Sequence, residues 1–87
     1  MHAVIYTKDS CPFCTRAKTL MDNRGITYDE KIIAVNGKDA RQLRENQQWS
    51  TREELLAVAP AAKTVPQIWL DNQHIGGYED LAKHLGV

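Results

Sequence analysis

The sequence predicts one α/β domain, residues 1–87, in which a four-stranded mixed sheet is flanked by helices in the order βαβ-α-ββα. Three observations predict this class. A strand–helix–strand pattern at the start implies a right-handed parallel crossover. A short turn near the end joins two apolar runs, which requires an antiparallel hairpin. A chain of 87 residues, 43% apolar and 25% charged, suits a single globular core.

The first part of the chain supplies the parallel crossover. His2–Tyr6 is rich in β-branched and aromatic residues and predicts the first strand. Pro12 suits the first turn of a helix, which continues without a break to Arg24. Gly25 stands where a left-handed C-terminal cap belongs. Ile26–Ile33 predicts the second strand, although its middle is acidic.

The middle of the chain predicts two further helices. Asn36–Lys38 has the composition of a turn, and Asp39–Gln48 is a mostly polar stretch that we expect to be a solvated helix. Ser50–Glu53 has the form of a capping box and predicts the start of a second helix, which Pro60 ends.

The last part of the chain predicts a hairpin and a closing helix. Pro66–Leu70 and His74–Gly76 predict two strands that the tight turn Asp71–Gln73 connects. Glu79–Leu85 predicts an amphipathic helix with its apolar residues on one face. These elements complete the predicted sheet.

Charge and hydropathy exclude two classes of function. Eleven basic residues balance eleven acidic ones, and no block of like charge occurs. This balance argues against a nucleic-acid binder that depends on many phosphate contacts. No apolar run approaches the length of about 18 residues that spans a membrane, and no basic leader precedes an apolar core. We therefore expect a cytoplasmic protein without a membrane partner, in a compartment where thiols are kept reduced.

Both cysteines of the chain lie in the stretch KDSCPFCTRAK, as Cys11 and Cys14. A close pair in a reducing compartment indicates redox or metal chemistry. At about 100° per residue, one helix face collects the apolar residues Phe13, Ala17, Leu20 and Met21. Cys14 lies at the edge of this face and Cys11 points away from it. The pattern predicts one exposed and one half-buried sulfur, close enough to bond.

The position of Cys11 at a helix start favours its thiolate. Backbone N–H groups there lack helical partners and the helix dipole is positive, so we expect a lowered pKa for the Cys11 thiol. Lys8 would add to this effect and Asp9 would oppose it. As a thiolate, Cys11 attacks a disulfide to form a mixed disulfide, and Cys14 then displaces the product.

Three other uses of the cysteine pair are less consistent with the sequence. Zinc requires four ligands, whereas only His2, His74 and His84 remain and they lack ligand spacing, so we predict no metal site. Thr15 follows Cys14 where a haem attachment motif requires histidine. A structural disulfide that closes so short a loop gains little entropy.

Three motifs give the chain a family resemblance: Cys11-Pro12-Phe13-Cys14, Thr64-Val65-Pro66 and Gly76-Gly77-Tyr78-Glu79-Asp80. With these motifs in this order, the chain resembles a dithiol glutaredoxin of the thioredoxin-like superfamily. The resemblance implies a thioredoxin-like fold and a thiol–disulfide oxidoreductase with no bound cofactor and glutathione as reducing co-substrate. Phe13 replaces the commonest tyrosine, and residues 36–63 are longer than in compact bacterial members, as in small phage-encoded glutaredoxins.

The resemblance also implies where glutathione binds. A cis Val65–Pro66 bond would leave the Val65 backbone free to pair with a peptide-like substrate. The N–H groups of Tyr78 and Glu79 would hold the γ-glutamyl carboxylate. The Asp80 carboxylate would bind the amino group of the γ-glutamyl residue, unless Asp80 only compensates the helix dipole. The residues that we predict to bind glutathione are Lys8, Phe13, Thr64, Val65, Pro66, Gly77, Tyr78 and Asp80.

Lys8 is our candidate to bind the carboxylate of the glycine residue of glutathione, ahead of Lys63. We expect Trp49 and Trp69 to be packing residues. The expected partners are glutathione and disulfide-containing proteins, with ribonucleotide reductase as a client in the family, and the expected state is a monomer. Two alternatives remain open: a redoxin reduced by thioredoxin reductase, and an iron–sulfur carrier ligated by glutathione. Pro12 disfavours the carrier within this family.

Overall fold

The computed structural model describes residues 1–34 and 41–87, which form one sheet with helices on both faces. The elements are β1 (His2–Thr7), α1 (Pro12–Asn23), β2 (Thr27–Ile33), β3 (Gln47–Ser50), α2 (Arg52–Val58), β4 (Gln67–Leu70), β5 (Gln73–Gly76) and α3 (Tyr78–Leu85). The strand order is β3-β2-β1-β4-β5. Within the described ranges, no helix is both long and apolar enough to cross a membrane.

The parallel crossover is confirmed. β1 pairs in parallel with β2, from His2 opposite Thr27 to Thr7 opposite Ile32, and α1 connects them. Gly25 has φ +67°, the left-handed conformation that a glycine adopts without steric cost. The chain can therefore turn sharply from the helix into β2.

The antiparallel hairpin is confirmed as well. β4 runs antiparallel to both β1 and β5. Asp71 and Asn72, the two loop residues, have φ +47° and +71°. Two left-handed residues in a two-residue loop match the right-handed twist of the strands that they connect.

The prediction of four strands is wrong, because β3 adds a fifth at the sheet edge. The predicted turn Asn36–Lys38 lies outside the described residues, as do the first two residues of the predicted helix Asp39–Gln48. The rest of that stretch contains no helix, and Gln47–Ser50 pairs in parallel with β2. Trp49 lies opposite Ile32, so pairing with the exposed edge of β2 outweighs a local preference for helix.

Alternate residues of β1 face two different cores. Ala3 and Ile5 are fully buried toward α1 and α3, in a cluster with Ala17, Met21, Ile26, Ile68, Leu70 and Leu81. Tyr6 faces the opposite side, where it packs with Leu55 and Ala59 of the α2 region. This period of two is the geometry of a strand buried on both faces.

Candidate active site

Cys11 and Cys14 are joined by a disulfide at the start of α1, with Cα atoms 5.2 Å apart. Cys11 is the N-cap, and its Sγ accepts a hydrogen bond from the backbone N–H of Cys14 at 3.2 Å. Cys11 is partly exposed, whereas Cys14 is only 2% exposed. The predicted bond and the predicted difference in exposure are confirmed, although Cys14 is fully rather than half buried.

The Val65–Pro66 peptide bond is cis, as the family resemblance implies. Because β4 runs antiparallel to β1, the residues before β4 lie beside those after β1, with Tyr6 opposite Gln67. The Val65 carbonyl oxygen therefore lies 3.7 Å from Cys11 Sγ. This register brings two motifs that are 54 residues apart to the same end of the sheet.

The Gly76–Asp80 segment forms the start of α3. Gly77 is the N-cap, and its N–H donates to Asp80 Oδ2 at 3.0 Å. Gly76 has φ +112°, and a Cβ atom at this position would collide with the Asp80 side chain. A glycine is thus required for Asp80 to fold back over its own helix terminus.

A cavity of about 480 Å³ lies between these segments, and we call it the Tyr78 cavity. It is lined by Phe13, Thr64, Val65, Pro66, Gln67, Gly76, Gly77, Tyr78, Glu79 and Asp80. Seven of the eight residues predicted to bind glutathione are in this list; Lys8 is the exception. Gln67 was missed because nothing in its local sequence indicates that its side chain turns back to donate to the Thr64 carbonyl at 2.9 Å.

Lys8 instead lines an adjoining cavity of about 210 Å³, which we call the Lys63 cavity. Thr64 and Val65 belong to both cavities, so the two adjoin at the residues before the cis bond. Lys8 and Lys63 are both exposed. The two lysines considered for one carboxylate therefore share a cavity.

Phe13 and Tyr78 lie at the Tyr78 cavity, whereas the two tryptophans lie elsewhere. Phe13 is 49% exposed, and its ring centroid lies 6.1 Å from that of Tyr78 across the Tyr78 cavity. Trp69 is partly buried between Tyr6 and His74, and Trp49 is covered by the Arg41 guanidinium at 4.9 Å. Trp69 packs against a core cluster, as expected, whereas the contact of Trp49 is with Arg41, and neither ring lines the Tyr78 cavity.

A third cavity, of about 390 Å³, contacts both cysteines from another side, and we call it the Glu30 cavity. Glu30 is 4% exposed and accepts hydrogen bonds from Thr7 at 2.6 Å, Lys18 at 2.9 Å and Gln47 at 2.9 Å. Burial alone would raise the pKa of Glu30, but these hydrogen bonds and the Lys18 charge outweigh it and hold that pKa below its usual value. The sequence analysis missed this buried carboxylate.

The described residues contain no group of three or more His, Cys, Asp or Glu side chains arranged to hold a metal ion. Among residues 1–34 and 41–87, the reactive group of the site is the Cys11–Cys14 disulfide. A disulfide with one accessible sulfur can exchange with an external thiol, which is attack by a thiolate on a sulfur atom.

Comparison with known proteins agrees with this chemistry. The family model Glutaredoxin matches residues 3–75. Glutaredoxin 3 of Escherichia coli K12 is 40% identical over 77 residues, which are 88% of this chain and 77% of the relative. The structure of reduced E. coli glutaredoxin has a TM-score of 0.68 at 34% identity and covers 99% of this chain and 94% of its own.

A buckwheat glutaredoxin, solved as its glutathione complex, has a TM-score of 0.64 at 26% identity and covers 97% of this chain and 68% of its own. The fold, the oxidised cysteine pair and the sequence match agree with one another. The chain belongs to the glutaredoxin family, and Cys11 and Cys14 give it the family's thiol–disulfide redox function.

Proposed function

We propose that this protein is a glutathione-dependent oxidoreductase that reduces protein disulfides and glutathione mixed disulfides through Cys11 and Cys14. The observation that carries the proposal is the Tyr78 cavity, which collects seven residues expected to bind glutathione from three separate segments. Its volume of about 480 Å³ falls within the range of about 300–1,000 Å³ that is typical of small-molecule sites. The glutathione complex of the buckwheat relative supports the same ligand class.

Val65 would hold the peptide backbone of glutathione. The Val65 carbonyl, which precedes the cis Val65–Pro66 bond, lies 3.7 Å from Cys11 Sγ. A tripeptide that pairs with this backbone as an added strand would bring its cysteine sulfur toward Cys11. The nucleophile and its target would then meet without further rearrangement.

The start of α3 would hold the γ-glutamyl end. The Tyr78 and Glu79 N–H groups are at the first helical positions, where no intrahelical acceptor exists, and they favour a carboxylate. Asp80 uses Oδ2 to accept from Gly77, and a carboxylate has further lone pairs. Asp80 can therefore cap its helix and accept from the γ-glutamyl ammonium at the same time.

Lys8 would neutralise the glycine carboxylate from the Lys63 cavity, with Lys63 as a second cation there. In the reaction, the Cys11 thiolate attacks the glutathione sulfur of a mixed disulfide, and the substrate thiolate leaves and takes a proton. A second glutathione thiolate then attacks the Cys11-bound glutathione and regenerates the Cys11 thiolate with release of glutathione disulfide. With a protein disulfide, Cys14 displaces the substrate and the Cys11–Cys14 disulfide forms.

We further propose a cytoplasmic monomer whose clients are disulfide-containing proteins, with ribonucleotide reductase as the first candidate to test. The exposed ring of Phe13 beside the disulfide provides an apolar contact for such a client. Gel filtration at micromolar concentration tests the monomer, and reduction of purified oxidised ribonucleotide reductase tests the client.

The decisive experiment is a turnover assay with glutathione, glutathione reductase, NADPH and the mixed disulfide of glutathione with 2-mercaptoethanol. We expect saturable turnover that Cys11→Ser abolishes. In parallel, thioredoxin reductase with NADPH replaces the glutathione system, and reduction of the Cys11–Cys14 disulfide is followed. Reduction by thioredoxin reductase alone would reject the proposal, and a cluster spectrum in anaerobically purified protein would favour the iron–sulfur carrier.

A further inference from the structure

The Glu30 cavity contains more charge than the redox chemistry described so far uses. Its wall includes both cysteines together with Lys8, Asp9, Lys18, Glu30 and Arg41. Asp9 accepts two hydrogen bonds from Arg41, at 2.9 and 3.1 Å, so these two charges are largely compensated by each other. Lys18 and Glu30 form a second ion pair at 2.9 Å that lies deeper in the protein.

Lys18 is one helical turn after Cys14 on α1. Cys14 and Lys18 are at positions i and i+4, which are neighbours on a helix face, and Cys11 is the N-cap just before the helix. A long side chain in a helix leans toward the helix N-terminus, so the Lys18 stem leans over the turn that contains Cys14. The shared cavity agrees with this direction.

Glu30 holds the Lys18 ammonium in place. Its carboxylate is 4% exposed and cannot swing away, because Thr7 donates to Oε2 and Gln47 donates to Oε1. The Lys18 side chain is 28% exposed, so it is partly shielded from solvent. Within residues 1–34 and 41–87, Glu30 is the only acceptor for Lys18. An ammonium has three donors, so two remain available toward the cavity.

We propose that Lys18, positioned by Glu30, stabilises the negative charge that develops on Cys14 Sγ when the Cys11–Cys14 disulfide is opened or closed. In opening, an external thiolate bonds to Cys11 Sγ, the Sγ–Sγ bond breaks, and its electron pair stays on Cys14 Sγ. That sulfur then takes a proton from solvent. In closing, the same steps run in reverse, and Cys14 must again pass through the thiolate.

Cys14 and Lys18 line the same cavity, so the charge of Lys18 lies near the sulfur that it would stabilise. Cys14 is 2% exposed, so solvent stabilises its thiolate poorly and a nearby ammonium counts for more. Microscopic reversibility requires that a charge which stabilises the transition state speeds both directions equally. Lys18→Met should therefore slow opening and closing by about tenfold each, while the equilibrium constant stays within about twofold.

The test uses dithiothreitol rather than glutathione. Reduced dithiothreitol opens the disulfide, oxidised dithiothreitol closes it, and thiols are trapped by alkylation and counted by mass spectrometry. The inference rests on the part of the proposed function in which Cys14 displaces the substrate and the Cys11–Cys14 disulfide forms. This assay does not require a glutathione site. A protein that fails with glutathione and still shows the Lys18 effect would reject the proposed function alone.

Four variants distinguish charge from structure. Lys18→Arg keeps the charge and should retain most of the rate. Lys18→Met leaves the Glu30 carboxylate without its partner and should lower the melting temperature. The double variant Lys18→Met with Glu30→Gln removes both charges, so it should melt higher than Lys18→Met, and its disulfide should still open and close slowly. Lys83→Met removes a lysine from the last turn of α3 and should react as the wild type.

The last arm places Lys18→Met in a Cys14→Ser background. Cys11 is converted to its mixed disulfide with 2-mercaptoethanol, and its release by dithiothreitol involves no Cys14 sulfur. We expect an unchanged rate here. Three results would overturn the proposal. Lys18→Met could leave the rates of disulfide opening and closing unchanged in the two-cysteine protein, or it could slow the reaction equally in the Cys14→Ser background. The variant Lys18→Met with Glu30→Gln could also recover the wild-type rate.

Discussion

The substitution Asp80→Asn separates two roles for one carboxylate. Asp80 Oδ2 accepts the Gly77 N–H at 3.0 Å, and the oxygen of an asparagine can accept the same bond. The helix cap is therefore retained, and only the charge is removed from the start of α3. Loss of that charge should cost about 0.3–1 kcal/mol of unfolding free energy.

The effect on glutathione should be larger than the effect on stability. A hydrogen bond between the γ-glutamyl ammonium and a carboxylate is worth about 1.5–3 kcal/mol. Its loss predicts a fall of about tenfold or more in the apparent second-order rate constant with glutathione. Dithiothreitol has no ammonium group, so its rate should barely change.

The assay compares both reductants in one series and adds thermal melts of the same samples. Glu79→Gln is the matched control, because it removes an equal charge from the same turn, where Glu79 is also exposed. We expect Glu79→Gln to share the small stability loss and keep the glutathione rate. A parallel loss with both reductants, or no loss with either, would refute the role of Asp80 and move the binding site toward Lys8 and Val65.

Three further predictions follow from the site. Cys11→Ser should abolish all turnover, whereas Cys14→Ser should keep deglutathionylation and lose reduction of protein disulfides; equal loss of deglutathionylation in both would contradict the assigned roles. Reduced Cys11 should be alkylated faster than a free thiol at pH 6, and a thiolate absorbance that titrates near the ordinary value of about 8.5 would argue against the helix effect. Because the pKa of Glu30 is lower in the folded protein than its usual 4.5, ionised Glu30 stabilises the fold above that pH, and this contribution is lost as the pH falls through the folded pKa. The melting temperature of Glu30→Gln should therefore fall less than that of the wild type as the pH is lowered through the acid range. An equal fall in both proteins would show that Glu30 contributes nothing to stability there.

Elements with strong local signals could be predicted from the sequence. Pro12 and Gly25 mark the ends of α1, and the Asp71–Asn72 loop marks the hairpin, because their preferred dihedral angles suit only a few local structures. The cysteine pair belongs to the same class, since a spacing of three residues on a helix brings two sulfurs into bonding range.

The strand β3 could not be predicted because its stability comes from outside its own sequence. Gln47–Ser50 is short and polar, and it becomes a strand by pairing with β2, whose Ile32 lies opposite Trp49. Glu30 is a similar case. An acidic residue in an apolar run suggests an exposed position, and only Thr7, Lys18 and Gln47 make its burial possible.

The sequence by itself determined the reacting pair, Cys11 and Cys14, and the helix start that holds it, because both depend on contacts within a few residues. Only the tertiary structure decided what surrounds the sulfurs. The antiparallel register of β4 on β1 brings Val65 to Cys11, and the parallel register of β2 brings Glu30 to the other side. Such registers depend on backbone pairing and core burial between segments far apart in the chain, which no local pattern specifies.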